Sequence, residues 1–228
     1  MDQWAISRVS VGGVELKGTG GSVSSSELLD ELRNLMQEYC FEYGEFTLSS
    51  GLPSKYYYDG KRATLDPYAA SLIGKVLTDV VISSGAECVG GLEIGSVPIA
   101  VEVGQAALAQ QRDLPTFIVR KAQKEHGTRD SVAQAYTRHG DLLRPGRRVA
   151  IVDDVITTGG SVSKAIDAVK QLGCEIVLVA VLVERHEGGA EDLRARYDVV
   201  SLFRSDETGH LSVNPDFVRR LEAARAAA

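Results

Sequence analysis

Cysteine, proline and aromatic residues are scarce in this chain of 228 residues, which has three cysteines, six prolines and 6% aromatic residues. Cys40, Cys88 and Cys174 lie far apart and form no C-x-x-C pair. That excludes a dithiol redox motif or a zinc ribbon and leaves buried thiols in a reducing compartment as the expectation. No apolar run approaches the ~20 residues of a membrane span, so no membrane partner is expected. The first 21 residues, MDQWAISRVSVGGVELKGTGG, lack the basic start and apolar run of a secretory signal, and a cytoplasmic location is expected. Basic charge is also in deficit: 25 lysines and arginines against 31 acidic residues leave a net charge of −6. A surface that coats nucleic acid is therefore excluded, and any anion site must be a local concentration of basic groups. Neither G-x-x-x-x-G-K-[ST] nor G-x-G-x-x-G occurs, which removes the P-loop and the dinucleotide fingerprint.

What is present suits an ordinary globular core, with 44% hydrophobic residues. The Gly/Ser run GTGGSVSSS, residues 18–26, is a linker. It divides a flexible N-terminal extension, residues 1–23, from a single domain over residues 24–228, with no fused second enzyme domain expected. Apolar residues at helical spacing predict a helix from Ser26 to about Tyr43, opened by a serine cap and closed by Gly44. Asp66-Pro67 opens a second helix that stops at Gly85. From there AECVGG, PTFIVR, RRVAIVDD and EIVLVAVLVE read as strands, separated by helices from about Val97 to Gln111 and from Ser161 to Leu172. Continuous apolar strands between helices predict an α/β fold with a parallel sheet covered on both faces. The tail DFVRRLEAARAAA predicts a peripheral terminal helix.

One strand ends unusually, in VAIVDDVITTGGS, residues 149–161. Ligands of open α/β sheets bind beyond the carboxyl ends of the strands, where Asp153 and Asp154 stand. The following TTGGS leads into a helix, so its N–H groups form a nest for an anion that the glycines let approach closely. Carboxylates repel phosphate but suit the paired hydroxyls of a sugar. The string thus reads as a ribose 5-phosphate site. The plainer alternative is a pair of aspartates that cap the next helix.

The same thirteen residues resemble the phosphoribosyl pyrophosphate (PRPP) signature of the type I phosphoribosyltransferases. Three further stretches resemble the orotate phosphoribosyltransferases among them, over most of residues 26–215. FTLSSGLPSKYYYDGKR, residues 46–62, looks like the family's base-binding loop. RKAQKEHG, residues 120–127, looks like its catalytic loop, and VLVERHEGG, residues 181–189, like the segment whose arginine meets the orotate carboxylate. The resemblance implies a mostly parallel central sheet flanked by helices, a small N-terminal hood and a flexible catalytic loop. It implies that Arg120, Lys121, Lys124 and His126 bind PRPP together with Asp153, Asp154, Val155, Ile156, Thr157, Thr158, Gly159, Gly160 and Ser161. Lys124, His126, Asp153 and Asp154 would carry catalysis, and Tyr57, Tyr58, Thr157 and Arg185 would bind orotate. Mg²⁺ would be held through PRPP rather than by direct protein ligands, and the protein would be a homodimer with shared active sites. The chain departs from the family pattern at Ser49, and at Ile94 and Gly95, where the family often carries lysine (Ser49, Gly95) and tyrosine (Ile94). Two other readings stay open: transfer to another base, and a non-catalytic ligand-sensing regulator. The latter would need a helix-turn-helix and a basic face, which the N-terminal extension does not supply.

Overall fold

The computed structural model describes residues 10–11, 14–15, 24–47, 53–121, 132–134 and 140–227. Ser49, Lys124 and His126 lie outside them. The first elements are two short paired strands, β1 (Ser10–Val11) and β2 (Val14–Glu15). Helix α1 (Ser25–Tyr39) follows, opened by a capping box in which the Ser24 hydroxyl accepts the Glu27 N–H at 3.2 Å and Glu27 accepts the Ser24 N–H at 2.9 Å. Leu28, Leu29, Leu32 and Met36 form its buried stripe.

The helix stops at Tyr39, short of the expected Tyr43. The residues after it form β3 (Phe41–Thr47), which pairs antiparallel with β4 (Pro53–Tyr58). The cause is long-range: aromatic residues favour a pleated, half-buried surface, and Phe41 packs on Tyr56 and Tyr58 at ring distances of 5.6 and 5.1 Å. This hairpin forms its own two-stranded sheet beside the central one. After the short α2 (Lys61–Thr64), α3 (Pro67–Ser83) starts as expected. The Asp66 carboxylate accepts the N–H groups of Tyr68 and Ala69 at 3.0 and 2.8 Å, and Pro67 takes the first turn.

The remaining elements alternate: β5 (Cys88–Leu92), α4 (Ser96–Ala109), β6 (Thr116–Val119), β7 (Val132–Gln134), β8 (Arg148–Ile156), α5 (Gly160–Gln171) and β9 (Glu175–Glu184). They continue with α6 (Gly189–Arg194), β10 (Val199–Ser205), β11 (Leu211–Val213) and α7 (Pro215–Ala226). The central sheet has the order β11-β10-β9-β8-β5-β6-β7; the five inner strands are parallel, and the two edge strands run antiparallel. It is the mostly parallel, helix-covered sheet that the resemblance implies.

Two apolar layers cover it. Ala150, Val152, Leu178, Ala180 and Leu182 face α1, α3, α4 and α7; Val149, Ile151, Val179 and Val181 face α5 and α6. The alternation is the strand period of two, and it explains why β8 and β9 read as unbroken apolar runs. All three cysteines are buried and unpaired, and burial pushes the thiols of Cys40 and Cys88 up to about 12.

The terminal helix α7 is no peripheral appendage. Asn214 caps it by accepting the Asp216 N–H at 3.1 Å and donates to Ser201 at 3.0 Å. Ser201 donates to Glu184, which Arg194 grips with bonds of 2.8 and 2.5 Å. Phe217 and Leu221 are wholly buried beside α3. Phe217→Ala should therefore lower unfolding free energy by about 3–5 kcal/mol in urea titration, the cost of deleting a fully packed aromatic ring.

Candidate active site

Strand β8 runs two residues past the acidic pair, so Asp153 and Asp154 sit within the carboxyl end of a central strand rather than after it. Asp153 pairs with Val181 of β9 and is 6% exposed. Strand alternation alone would send the neighbouring side chains to opposite faces, yet at the strand end both carboxylates turn toward the position of Gly95. The Asp154 N–H donates to Asp153 Oδ1 at 3.0 Å. Burial, and next the charge of Asp154, push the Asp153 carboxyl well above the ordinary carboxylate range. Burial also raises Asp154, against the pull of Lys61. Lys121, directly after β6, acts on Asp153 in the same stabilising sense.

Two glycines make room for these carboxylates. A Cβ on Gly95 would lie 2.6 Å from Asp154 Oδ1 and 3.0 Å from Asp153 Oδ1; one on Gly60 would lie 2.8 Å from Asp154 Oδ2. Lys61, next to Gly60, is tied to Asp59 at 2.5 Å. The loop after β5 meets the end of β6, where the Lys121 N–H donates to Glu93 at 2.8 Å. Arg120 is half-buried between β6 and Lys121. The carboxyl ends of β6 and β8 and the start of α2 thus bring one acidic pair and two lysines together.

Beyond Val155 and the buried Ile156, Thr157 and Thr158 turn the chain into α5. Gly159 takes φ +77°, a conformation that favours glycine, and no side chain caps the helix. The first N–H groups of α5, at Gly160 and Ser161, are left for an anion. The turn rests on Gly189, whose N–H donates to Thr157 O at 3.0 Å and whose missing Cβ would lie 2.4 Å from that oxygen. A side chain there would collide with backbone.

Arg185 follows β9 and its N–H donates to Ile156 O at 3.0 Å, which sets it beside the same turn. Its side chain is buried, lies over the Tyr56 ring at 4.3 Å, and meets Glu187 at 2.9 Å and Ser54 Oγ at 3.4 Å. Arg185 Nε and Glu187 Oε2 are buried with no hydrogen-bond partner. Along β4 the three tyrosines alternate. Tyr56 and Tyr58 point inward, and Tyr57 is exposed with its ring 5.8 Å from that of Phe46. Tyr57 and Tyr58 therefore lie on opposite faces, and the aromatic that touches Arg185 is Tyr56. Sequence reasoning missed Tyr56, Ser54, Lys61, Gly60 and Gly189. Period-two alternation along YYY was the available signal for Tyr56, and the GG after RHE the signal for Gly189.

The chain matches the family model of the phosphoribosyl transferase domain over residues 72–217. It is 43% identical over 165 residues to the orotate phosphoribosyltransferase of Streptomyces avermitilis, covering 72% of this chain and 87% of that protein. To the Streptomyces coelicolor enzyme it is 39% identical over 186 residues, or 81% of this chain and 98% of that protein. Among solved structures it resembles Mycobacterium tuberculosis orotate phosphoribosyltransferase in complex with PRPP, at 33% identity and a TM-score of 0.59, over 76% of this chain and 95% of that one. The Aeropyrum pernix orotate phosphoribosyltransferase gives 31% identity and 0.57, over 76% and 92%. Family model, sequence relatives and solved structures agree, and the chain belongs to the orotate phosphoribosyltransferase family.

Proposed function

We propose that the protein transfers ribose 5-phosphate from PRPP to orotate, giving orotidine 5′-monophosphate and pyrophosphate, a step of UMP biosynthesis. The observation that carries this reading is the buried Asp153–Asp154 pair set one turn before an uncapped helix start. In the transfer, the bond from ribose C1 to pyrophosphate breaks and a bond from orotate N1, which has given up its proton, forms on the opposite face. The ribose gains positive character and the leaving group negative charge, so catalysis consists of stabilising both. The carboxylates take the ribose hydroxyls and favour its positive character; the N–H groups from Thr158 to Ser161 take the 5′-phosphate. Lys121 lies at the acidic pair, and in this reading Arg120, Lys124 and His126 meet the pyrophosphate when the lid closes and shuts out water. Arg185 has an unspent Nε–H for the orotate carboxylate, and guanidinium geometry suits a two-point contact. Thr157 and the tyrosines of β4 border the base.

Mg²⁺ fits this site as a companion of the donor. Among the described residues no group of three or more acidic, histidine or cysteine side chains forms a cage. The ion suits pyrophosphate and ribose oxygens and would neutralise part of the leaving charge. We place the enzyme in the cytoplasm, a reading supported by three unpaired buried thiols. Among the described residues no helix is long and apolar enough to cross a membrane. We read residues 24–228 as a single transferase domain that follows an extension of 23 residues. A homodimer is supported by two exposed apolar residues one heptad apart on α4, Val101 and Leu108, 46 and 61% exposed, with Ile94, 64% exposed, just before the helix.

Four outcomes test the proposal. Replacing Asp153 and Asp154 together by Asn should cut pyrophosphate release by at least about 10²–10³-fold. The same variant should be no less stable than the parent. Both carboxyl pKa values are raised on folding, so the folded state holds these protons more tightly than the unfolded one and stability falls as pH rises through the raised values. Asn removes that loss, and a raised melting temperature at neutral pH checks the sign. Arg185→Lys should weaken orotate binding by about 2–5 kcal/mol in calorimetry while PRPP affinity changes little. Equal weakening for both would mark Arg185 as structural. Finally, coexpressing Lys124→Ala with the double Asn variant should restore up to about a quarter of wild-type turnover, because half the dimers are mixed and each has one intact site. Mixed dimers as inactive as their parents would confine each lid to its own chain.

A further inference from the structure

The hydroxyl of Tyr58 is buried and meets no hydrogen-bond partner. The side chain is 6% exposed, and its ring is set against Phe41 at 5.1 Å, so the hydroxyl is carried to a fixed place. That place is the floor of the acidic site. The position of a Cβ on Gly60 lies 2.9 Å from Tyr58 Oη and 2.8 Å from Asp154 Oδ2. Phenol and carboxylate thus converge on the one residue without a side chain to separate them. A buried O–H with no acceptor opposes folding, and phenylalanine in the same packing would avoid that penalty. An aromatic wall for the base needs only the ring. The oxygen asks for a separate explanation, and the carboxylate across Gly60 supplies one.

We infer that Tyr58 is a positioning residue for the donor: its hydroxyl donates to the Asp154 carboxylate once that group turns to the ribose hydroxyls, fixing its orientation and keeping it ionised. This rests on the phosphoribosyl-transfer reading and adds to it a role for Tyr58 distinct from contact with the base. Several other groups act on Tyr58 and the pair. Asp153 lies beside Asp154 on β8, Cys40 at the end of α1, Asp59 just after β4, Lys61 at the start of α2, and Lys121 after β6. Lys61 and Lys121 favour ionised carboxylates, while the negative neighbours oppose them. Tyr58 is the neutral donor in this set, and a neutral donor favours the carboxylate without a second buried charge.

Tyr58→Phe removes one oxygen and keeps the ring. Its melting temperature should equal or exceed that of the parent. Its kcat/KM for PRPP should fall about tenfold, as expected for a lost buried bond to a charged group, with KM for orotate unchanged. The acid limb of the PRPP kcat/KM profile should move to higher pH, because a carboxylate without its donor protonates more readily. In an Asp154→Asn background, the same substitution should no longer weaken PRPP binding in calorimetry with Mg²⁺. An unchanged PRPP kcat/KM and an unmoved acid limb would overturn the inference and leave Tyr58 a packing residue. A rise in orotate KM alone would overturn it in favour of a base contact. Absence of PRPP binding by the unsubstituted enzyme would remove the transfer reading itself, an outcome separate from either of these.

Discussion

Two adjacent carboxylates held inside the end of a central strand are the constraint around which this molecule is arranged. Burial penalises each charge, and each charge penalises the other. Pairing with β9, Asp153 against Val181, fixes their backbone, and at the strand end both side chains turn toward the space beside Gly95. Glycines at positions 60 and 95 leave the space the carboxylates occupy, and lysines at 61 and 121 bring positive charge to them. Buried charge of this kind is costly to fold and marks a functional site.

The second half of the site depends on backbone rather than charge. The turn from Thr157 to Gly159 needs a left-handed glycine and a glycine neighbour, Gly189, close enough to accept no side chain. Gly189 starts α6, and Arg185 ends the approach to it, so the segment after β9 both braces the phosphate turn and presents the guanidinium. The pairing of Arg185 with Glu187 and the Tyr56 ring holds that guanidinium in a buried place while leaving one donor unspent. Breaking such a buried pair strands a charge, which is why Arg185 is better understood through its whole surroundings than through one contact.

Much of this was legible in the sequence where signals were local. The capping serine of α1, the Asp66-Pro67 start of α3, the apolar runs of β8 and β9 and the DDVITTGGS string each carry their own physical reason. Legibility failed where distant pairing decided the outcome. Cys40 to Tyr43 continues the pattern of α1 on paper, yet the β4 tyrosines draw Phe41–Thr47 into a strand. Val199–Ser205 and Leu211–Val213 went unassigned, although their turn is a local device in which Asp206 accepts the N–H groups of Thr208 and His210 at 2.8 and 3.0 Å. In the site, the chemistry-bearing residues of the DD-TTGG string could be named in advance. The residues that merely make room for them could not, because an absent side chain leaves no mark in a pattern of polarity.

Gly95 joins these two lessons. It stands where related sequences often carry lysine, and as a residue type it reads as the loss of a cation. In the folded chain a Cβ at that position would sit 2.6 Å from Asp154 Oδ1, so any side chain requires the acidic pair to move. The cations that act on the pair come from other elements: Lys61 from the segment after β4 and Lys121 from the end of β6. Lys61 is itself anchored to Asp59, which sets its charge beside Asp154. Positive charge at a site is a property of the space, and it can be delivered from whichever strand end faces that space. A motif comparison made position by position therefore records a missing lysine, while the electrostatics of the acidic pair are met by lysines from neighbouring loops.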